Sequence, residues 1–338
     1  MTATGAAMLA RVLRHPQASA ALDAEGWTAL IATARAEQLA GTLACRVAGL
    51  PMPAAAAAIL AEAQAGAEHG RRAALWEAEM ARRALAPLGV AIVLLKGTAF
   101  VAGGLIAGRG RSIGDLDILV PHGALDAVEA ALLAARWEWV KPDPYDDVYY
   151  RRWMHELPPL IHRERDRMID VHHTILPPTA RPTPDAAALI ADSVALSDGL
   201  RMLSPSDMIV HAAAHLFADG DLTGGLRNLW DIHCLIAEGG SEGLAARARH
   251  HGLYMQTMRA LRLAHDLFGT ELPEGWAQDR GRALDRLYRR RLLARDGWGR
   301  ATRPLTRLGF YVRSHAIRMP PTLLARHLWI KWRRNRGV

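Results

Sequence analysis

Cysteine is almost absent. The two present, Cys45 and Cys234, stand far apart in apolar surroundings. That excludes a disulfide framework and a cysteine-built zinc site, and both read as reduced core residues of a cytosolic protein. Long hydrophobic runs are missing too. No stretch approaches the ~18 apolar residues of a membrane-spanning helix. The opening MTATGAAMLARVLRHP has no long apolar core of signal-peptide type, so a soluble, cytoplasmic chain is the expectation. Gly103-Gly104 and Gly224-Gly225 lead into no Lys-Ser/Thr, which excludes a P-loop. Ser204 and Ser206 read as helix-cap residues, and no nucleophile elbow is present. Internal repeats are also lacking.

What is there is a chain of 338 residues, half of them hydrophobic, enough for two or three domains and a sizeable core. The formal charge is +8 and the pI about 10.0. The surplus concentrates late, in Arg289-Arg290-Arg291 and from Lys331 to Arg336. Such a basic tail suits an anionic partner (nucleic acid, phospholipid or a phosphorylated ligand), and it equally suits a solvated helix end. Trp329 and Trp332, three apart among Arg and Lys, share a helix face. They fit a packed amphipathic helix, a membrane surface or nucleic acid.

The pattern predicts an α+β fold, mostly α by residue count: a small mixed sheet between two helical regions. Residues 5–85 read as helical, with Glu and Arg recurring on a solvated side from Ala54 to Leu88. Near Pro87-Leu88-Gly89 the periodicity changes. Strands are expected at 90–95, 113–120, 137–140, 147–153, 160–163 and 167–175, the last two joined as a hairpin around 164–166. A short small-residue helix is expected at 99–106 and an amphipathic one at 125–135. After the proline-rich 177–184, helices are expected at 185–195, 204–217, 226–237, 243–250 and 254–268. Ser204 is a natural N-cap with Pro205 at the first helical position. The boundaries are 1–88 for an N-terminal helical region, 89–178 for a catalytic core and 185–338 for a C-terminal helical region with a basic tail.

The chemistry concentrates in VLLKGTAFVAGGLIAGRGRSIGDLDILV, residues 93–120. Asp115 and Asp117 are two apart on a strand, so both carboxylates leave one face. Side by side they repel, and a divalent cation between them relieves the repulsion. Asp170, between Ile169 and Val171 on a later strand, can join them if the two strands are neighbours. Three oxygen donors of this kind suit Mg²⁺ (or Mn²⁺) in phosphoryl or nucleotidyl transfer. The turn Lys96-Gly97-Thr98 opens a helix, and its backbone N–H groups with Lys96 could cradle a triphosphate. Arg109 and Arg111 could neutralise phosphate charge. Taken singly, each of these has an ordinary reading as a loop carboxylate, a plain turn or a solvated cation. Their order and spacing carry the argument.

LLKG at 94–97, GDLDILV at 114–120 and IDVHH at 169–173 resemble the uncharacterised nucleotidyltransferase family of the DNA polymerase β-like superfamily. LSPSDMIVHAAAHLF and LRNLWDIHCLI match later helical features, and the likeness covers roughly residues 25 to 270. It implies that Asp115 and Asp117 are the metal-binding pair and Asp170 the third carboxylate. Gly97 and Thr98 then occupy the place where most of the superfamily has Gly-Gly or Gly-Ser on the triphosphate, with Lys96 departing from that wider pattern. The activity implied is Mg²⁺-dependent transfer of NMP from an NTP to a hydroxyl or phosphate of a small molecule, a peptide or protein, or an RNA end. The alternative is a non-catalytic scaffold of the same fold that binds nucleotide or nucleic acid as an antitoxin or regulator.

Several histidines could attend the site. Alternation puts His172 on the face of Asp170 and His173 on the other. His211 and His215, four apart on a helix, share a face. The residues between them are alanines and include no HExxH glutamate, so zinc binding there would need His233 or Asp231 as a third ligand. Packing or hydrogen bonding against the catalytic core is the simpler role, with Asn228 and Asp231 in the same polar patch.

Overall fold

Alanine-rich segments punctuated by charge become the helices at the N-terminal end. These are α1 (Gly5–Arg14), α2 (Ala24–Ala36), α3 (Ala40–Arg46) and the long α4 (Ala54–Leu85). Asp23 caps α2 by accepting from the Gly26 N–H at 2.8 Å. Along α4, Glu68 pairs with Arg71 and Arg72, and Glu79 with Arg82 and Arg83, all at helical spacing on the wet side. Its other side buries Leu60, Ala74, Ala78, Ala81 and Leu85. The computed structural model describes residues 5–141, 143–197, 199–273, 276 and 282–318.

The middle of the chain builds the sheet. In order come β1 (Val93–Leu94), α5 (Lys96–Ala102), β2 (Asp115–Leu119), α6 (Leu125–Ala134), β3 (Trp137–Trp139), α7 (Pro144–Trp153), β4 (Leu160–His162) and β5 (Met168–His172). Then follow α8 (Ala186–Ala191), β6 (Val194–Ala195) and β7 (Arg201–Met202). The strands form one mixed sheet in the order β3-β4-β5-β2-β1-β7-β6. β2 runs parallel to β5 and antiparallel to β1, and β1 runs parallel to β7. Ile118, Leu119 and Val120 are completely buried, each contributing about 2 kcal/mol of hydrophobic stabilisation. α4 lies against β2, α5 and α6.

The C-terminal part is helical: α9 (Pro205–Ala214), α10 (Gly225–Ala237), α11 (Leu244–His250), α12 (Tyr254–Phe268), α13 (Arg282–Leu292) and α14 (Pro304–Arg318). Ser204 caps α9 as expected, accepting from the Asp207 N–H at 3.3 Å. α1 packs on α12, so the N-terminal and C-terminal helices share one core. The fold is α+β and mostly α. No helix among the described residues is long and apolar enough to cross a membrane.

Three local expectations need correcting. Residues 147–153 were expected as a strand but form α7. Pro144 opens it, and Asp147 pairs with Arg151 one turn on at 2.8 Å, so the helical i,i+4 contact wins over aromatic and β-branched content. The helix expected over 185–195 stops at Ala191, and Val194–Ala195 becomes an edge strand paired to β7. Cys45 is only half-buried, whereas Cys234 is buried as expected. The hairpin of β4 and β5 forms with Ile161 opposite Met168. Trp329, Trp332 and the segment from Lys331 to Arg336 lie outside the described residues.

Candidate active site

β2 and β5 are neighbours in parallel register, with Asp117 directly opposite Asp170. Opposed residues on paired strands present their side chains on one face, and Asp115, two residues before Asp117, shares it. Asp115, Asp117 and Asp170 each offer an oxygen, and the three oxygens lie within 4.8 Å of one another. Asp115 is exposed, Asp117 buried and Asp170 in between, so the cluster opens to solvent at the start of β2.

Lys96 reaches this face from β1. The Leu95 N–H donates to the Asp117 carbonyl at 3.0 Å, which delivers the next residue to the carboxylates. Its Nζ lies 2.6 Å from Asp117 Oδ1. Lys96 holds a left-handed φ of 49°, a conformation that costs a non-glycine residue about 1 kcal/mol or more. The pair with Asp117 offsets that cost. His172, on the face expected for it, places Nε2 3.0 Å from the same Oδ1. A carboxylate can only accept, so Nε2 carries the proton.

The protonation states divide sharply. Burial alone would raise the Asp117 carboxyl, but the Lys96 charge and the His172 hydrogen bond outweigh it and hold it well below the usual range. Asp170 goes the other way, pushed up to about 7 by burial first and then by Asp117 and Glu156. No donor among the described residues hydrogen-bonds its carboxylate. Burial would lower Lys96, yet Asp117 and Asp115 raise it, so the ammonium persists. One ammonium thus faces Asp115, Asp117, Asp170 and the nearby Glu156. This surplus of oxygen donors around an undercompensated carboxylate fits a hard divalent cation.

The other expected residues are placed differently. Gly97 and Thr98 form the first turn of α5, with Thr98 buried and its hydroxyl unpartnered. A Cβ at Gly97 would sit 2.6 Å from Arg111 Nε, so the glycine leaves room for that side chain to cross the helix start. Arg111 passes over the Phe100 ring to Asp231 on α10. Asp231 also holds Arg227 Nη2 at 2.5 Å, and Arg227 Nη1 donates to Thr42 Oγ1 at 2.6 Å. Arg109 is exposed and lines a groove with Cys45, Glu68 and Arg71 rather than joining the carboxylates. The loop is fixed by backbone contact. Gly110, at φ 65°, approaches Gly41 so closely that a Cβ would meet the Gly41 carbonyl oxygen at 2.3 Å.

His211 and His215 line a cavity of about 60 Å³ behind Lys96, together with Arg111, Asn228 and Asp231. Burial, and then the Lys96 charge, push His211 far below the usual histidine range, so it is neutral. Their suggested third zinc ligands are otherwise engaged. His233 bonds Thr270 Oγ1 at 2.8 Å, and Asp231 holds two arginines. His173 faces away, its ring 4.7 Å from that of His122.

Two neighbours escaped the sequence reading. His155 and Glu156 fall between α7 and β4, where nothing in the local pattern marks chemistry. Their place comes from an extra pairing to β5: Glu156 bridges His172, and the Leu157 N–H donates to Val171 at 2.9 Å. The signal available was an acidic residue next to a histidine just before a strand, which is too common to single out.

A family model described as an uncharacterised nucleotidyltransferase matches residues 23–269. No curated protein matches the chain.

Proposed function

The chain belongs to the uncharacterised nucleotidyltransferase family, and from that premise we propose that it transfers NMP from an NTP to a hydroxyl or phosphate of an acceptor, with Mg²⁺ or Mn²⁺. The acceptor is a small molecule, a peptide or protein, or an RNA end. The observation that carries this reading is the register pairing of Asp117 with Asp170, which gathers three carboxylate oxygens on one open face. Asp115, Asp117 and Asp170 would hold the cation, which when bound supplies charge neutralisation for the triphosphate and its pyrophosphate leaving group.

The chain's own groups divide the remaining work. Lys96 and His172 fix Asp117 from two sides and keep it ionised. Asp170, opposite Asp117 on the same face, presents a carboxylate oxygen that would take the acceptor proton. The acceptor oxygen bonds to the α-phosphorus, the bond to the bridging oxygen breaks, pyrophosphate leaves, and the acceptor proton passes to an Asp170 oxygen. Lys96, the first-turn residues Gly97 and Thr98, and the arginines Arg109 and Arg111 are the proposed triphosphate side, Arg109 only by leaving the groove that it lines with Cys45, Glu68 and Arg71. Arg111 reaches that role only by exchanging its present partner, Asp231. The basic surplus is proposed to meet an anionic partner. On α13, Arg289 and Arg290 are exposed, while Arg291 is buried near Asp221. A cytoplasmic setting completes the reading.

Incubation with labelled NTP, Mg²⁺ or Mn²⁺ and candidate acceptors tests it against an Asp115→Ala/Asp117→Ala variant. The expected loss is about 10³-fold or more, equivalent to roughly 4 kcal/mol of transition-state stabilisation. Incorporation that survives the double change sinks the reading.

A further inference from the structure

Beside the carboxylate cluster lies a second group of potential ligands with different chemistry. His155, Glu156 and His172 each offer one ligating atom, and the three atoms lie within 4.8 Å of one another. Glu156 and His172 face each other across an isolated β-bridge. His155 and His172 are 8% and 2% exposed, their rings 5.2 Å apart. The Nδ1 atoms of both rings are buried and make no hydrogen bond.

His172 decides the reading. Its Nε2–H is committed to Asp117, so in the neutral ring the lone pair is on Nδ1, on the side of Glu156. A histidine that ligates a metal through one nitrogen and donates the other N–H to a carboxylate is the recurrent carboxylate–histidine–metal arrangement. Nδ1 lies 3.4 Å from Glu156 Oε2, too long for a good hydrogen bond. It is close to the ~3.4 Å edge expected of two ligands with ~2.1 Å arms at a tetrahedral centre. The buried Nδ1 atoms of His155 and His172 otherwise stay without a hydrogen-bond partner, which costs stability.

We propose that His155, Glu156 and His172 form a site for a borderline transition-metal dication such as Zn²⁺, with Asp117 orienting His172 from behind. Two imidazoles and a carboxylate prefer such a metal to Mg²⁺, whose all-oxygen preference is met by the neighbouring cluster. The site clips the segment 155–157 to β5 and fixes the His172 ring against Asp117. Its ligand atoms lie outside the set assigned to the magnesium ion and the triphosphate, and His172 links the two sites through Asp117.

The test is metal retention by the full-length chain. Protein stripped with EDTA and then dialysed against Zn²⁺ with excess Mg²⁺ is expected to retain one zinc per chain by elemental analysis. Co²⁺ in its place is expected to give the visible spectrum of a four- or five-coordinate nitrogen–oxygen site. Glu156→Gln and His155→Gln each weaken retention by more than about 100-fold, above the 10–100-fold typical of losing only an outer partner. Asp115→Asn abolishes transfer under the reading above yet keeps the zinc, so the two proposals fail separately. Wild-type protein that retains no zinc and gives no Co²⁺ spectrum overturns the inference without any variant. So does zinc that survives Glu156→Gln and His155→Gln, or zinc lost with Asp115→Asn.

Discussion

Asp170 and Asp207 are both aspartates largely withdrawn from water, and the protein treats them in opposite ways. Asp207, at the start of α9, accepts from Ser204 Oγ at 2.8 Å and from Arg247 at 2.8 and 2.5 Å, with His251 Nε2 at 3.3 Å. Burial would raise its carboxyl, but the adjacent His251 ring and the hydrogen bonds from Arg247 and Ser204 outweigh it and keep it below the usual range. Asp170, on β5, lies beside other carboxylates and has no such donor among the described residues, and it rises to about 7. Asp207 is matched within the chain and joins α9 to α11. Asp170 is left undercompensated where a cation would complete it. Buried charge of the first kind holds a fold, and buried charge of the second kind costs stability that a ligand can return.

Four measurements press on that contrast, from the largest expected effect down. Asp207→Ala removes one side of a buried, hydrogen-bonded network and should cost about 3–5 kcal/mol in a urea titration, with little change in transfer per folded molecule. A cost under ~1 kcal/mol would remove the distinction. Asp170→Asn should do the reverse, lowering transfer about 10²-fold or more while leaving metal-free stability unchanged or higher. A variant that unfolds without losing transfer would put Asp170 in the same class as Asp207.

The pH dependence follows from the same pair. The Asp170 carboxyl is raised in the folded state from the usual 3.8 to about 7, so the folded protein binds its proton more tightly than the unfolded chain does. In EDTA, the contribution from Asp170 is fully present below about pH 4 and is lost as the pH rises towards 7. Asp207, depressed, contributes above its unfolded value and loses that contribution as the pH falls. Melting curves in EDTA from about pH 5 to about pH 8 should therefore show a decline that Mn²⁺ removes, because metal binding displaces the Asp170 proton. A flat profile in EDTA would contradict the shift. The smallest effect tests the loop behind the site. Gly110→Ala must accommodate a positive φ and the Gly41 backbone, and should cost roughly 1–3 kcal/mol in the same urea titration.

How legible all this was depended on the range of the interaction. The Asp115/Asp117 face follows from strand period alone, and so does His172 sharing a face with Asp170. The cap at Ser204 follows from local hydrogen bonding. The strand expected at 147–153 failed because its β-type residues sit on a helix made by Pro144 and the Asp147–Arg151 pair. Arg111 looked like a phosphate ligand because it precedes the aspartates. Its actual partner, Asp231, lies 120 positions further along the chain, on a helix that only packing brings near.

Residue type and spacing by themselves determined the α+β character, the order of the elements around residues 93–120 and the three carboxylates. Each depends on periodicities of two or about four residues that the chain carries locally. Only the tertiary structure decided that β2 pairs with β5 in parallel register and that Lys96 rests on Asp117. It also decided that Arg111 turns inward and that His155 and Glu156 close on His172. These are long-range pairings whose energies come from burial and charge compensation, and no local pattern encodes which distant group will be the partner.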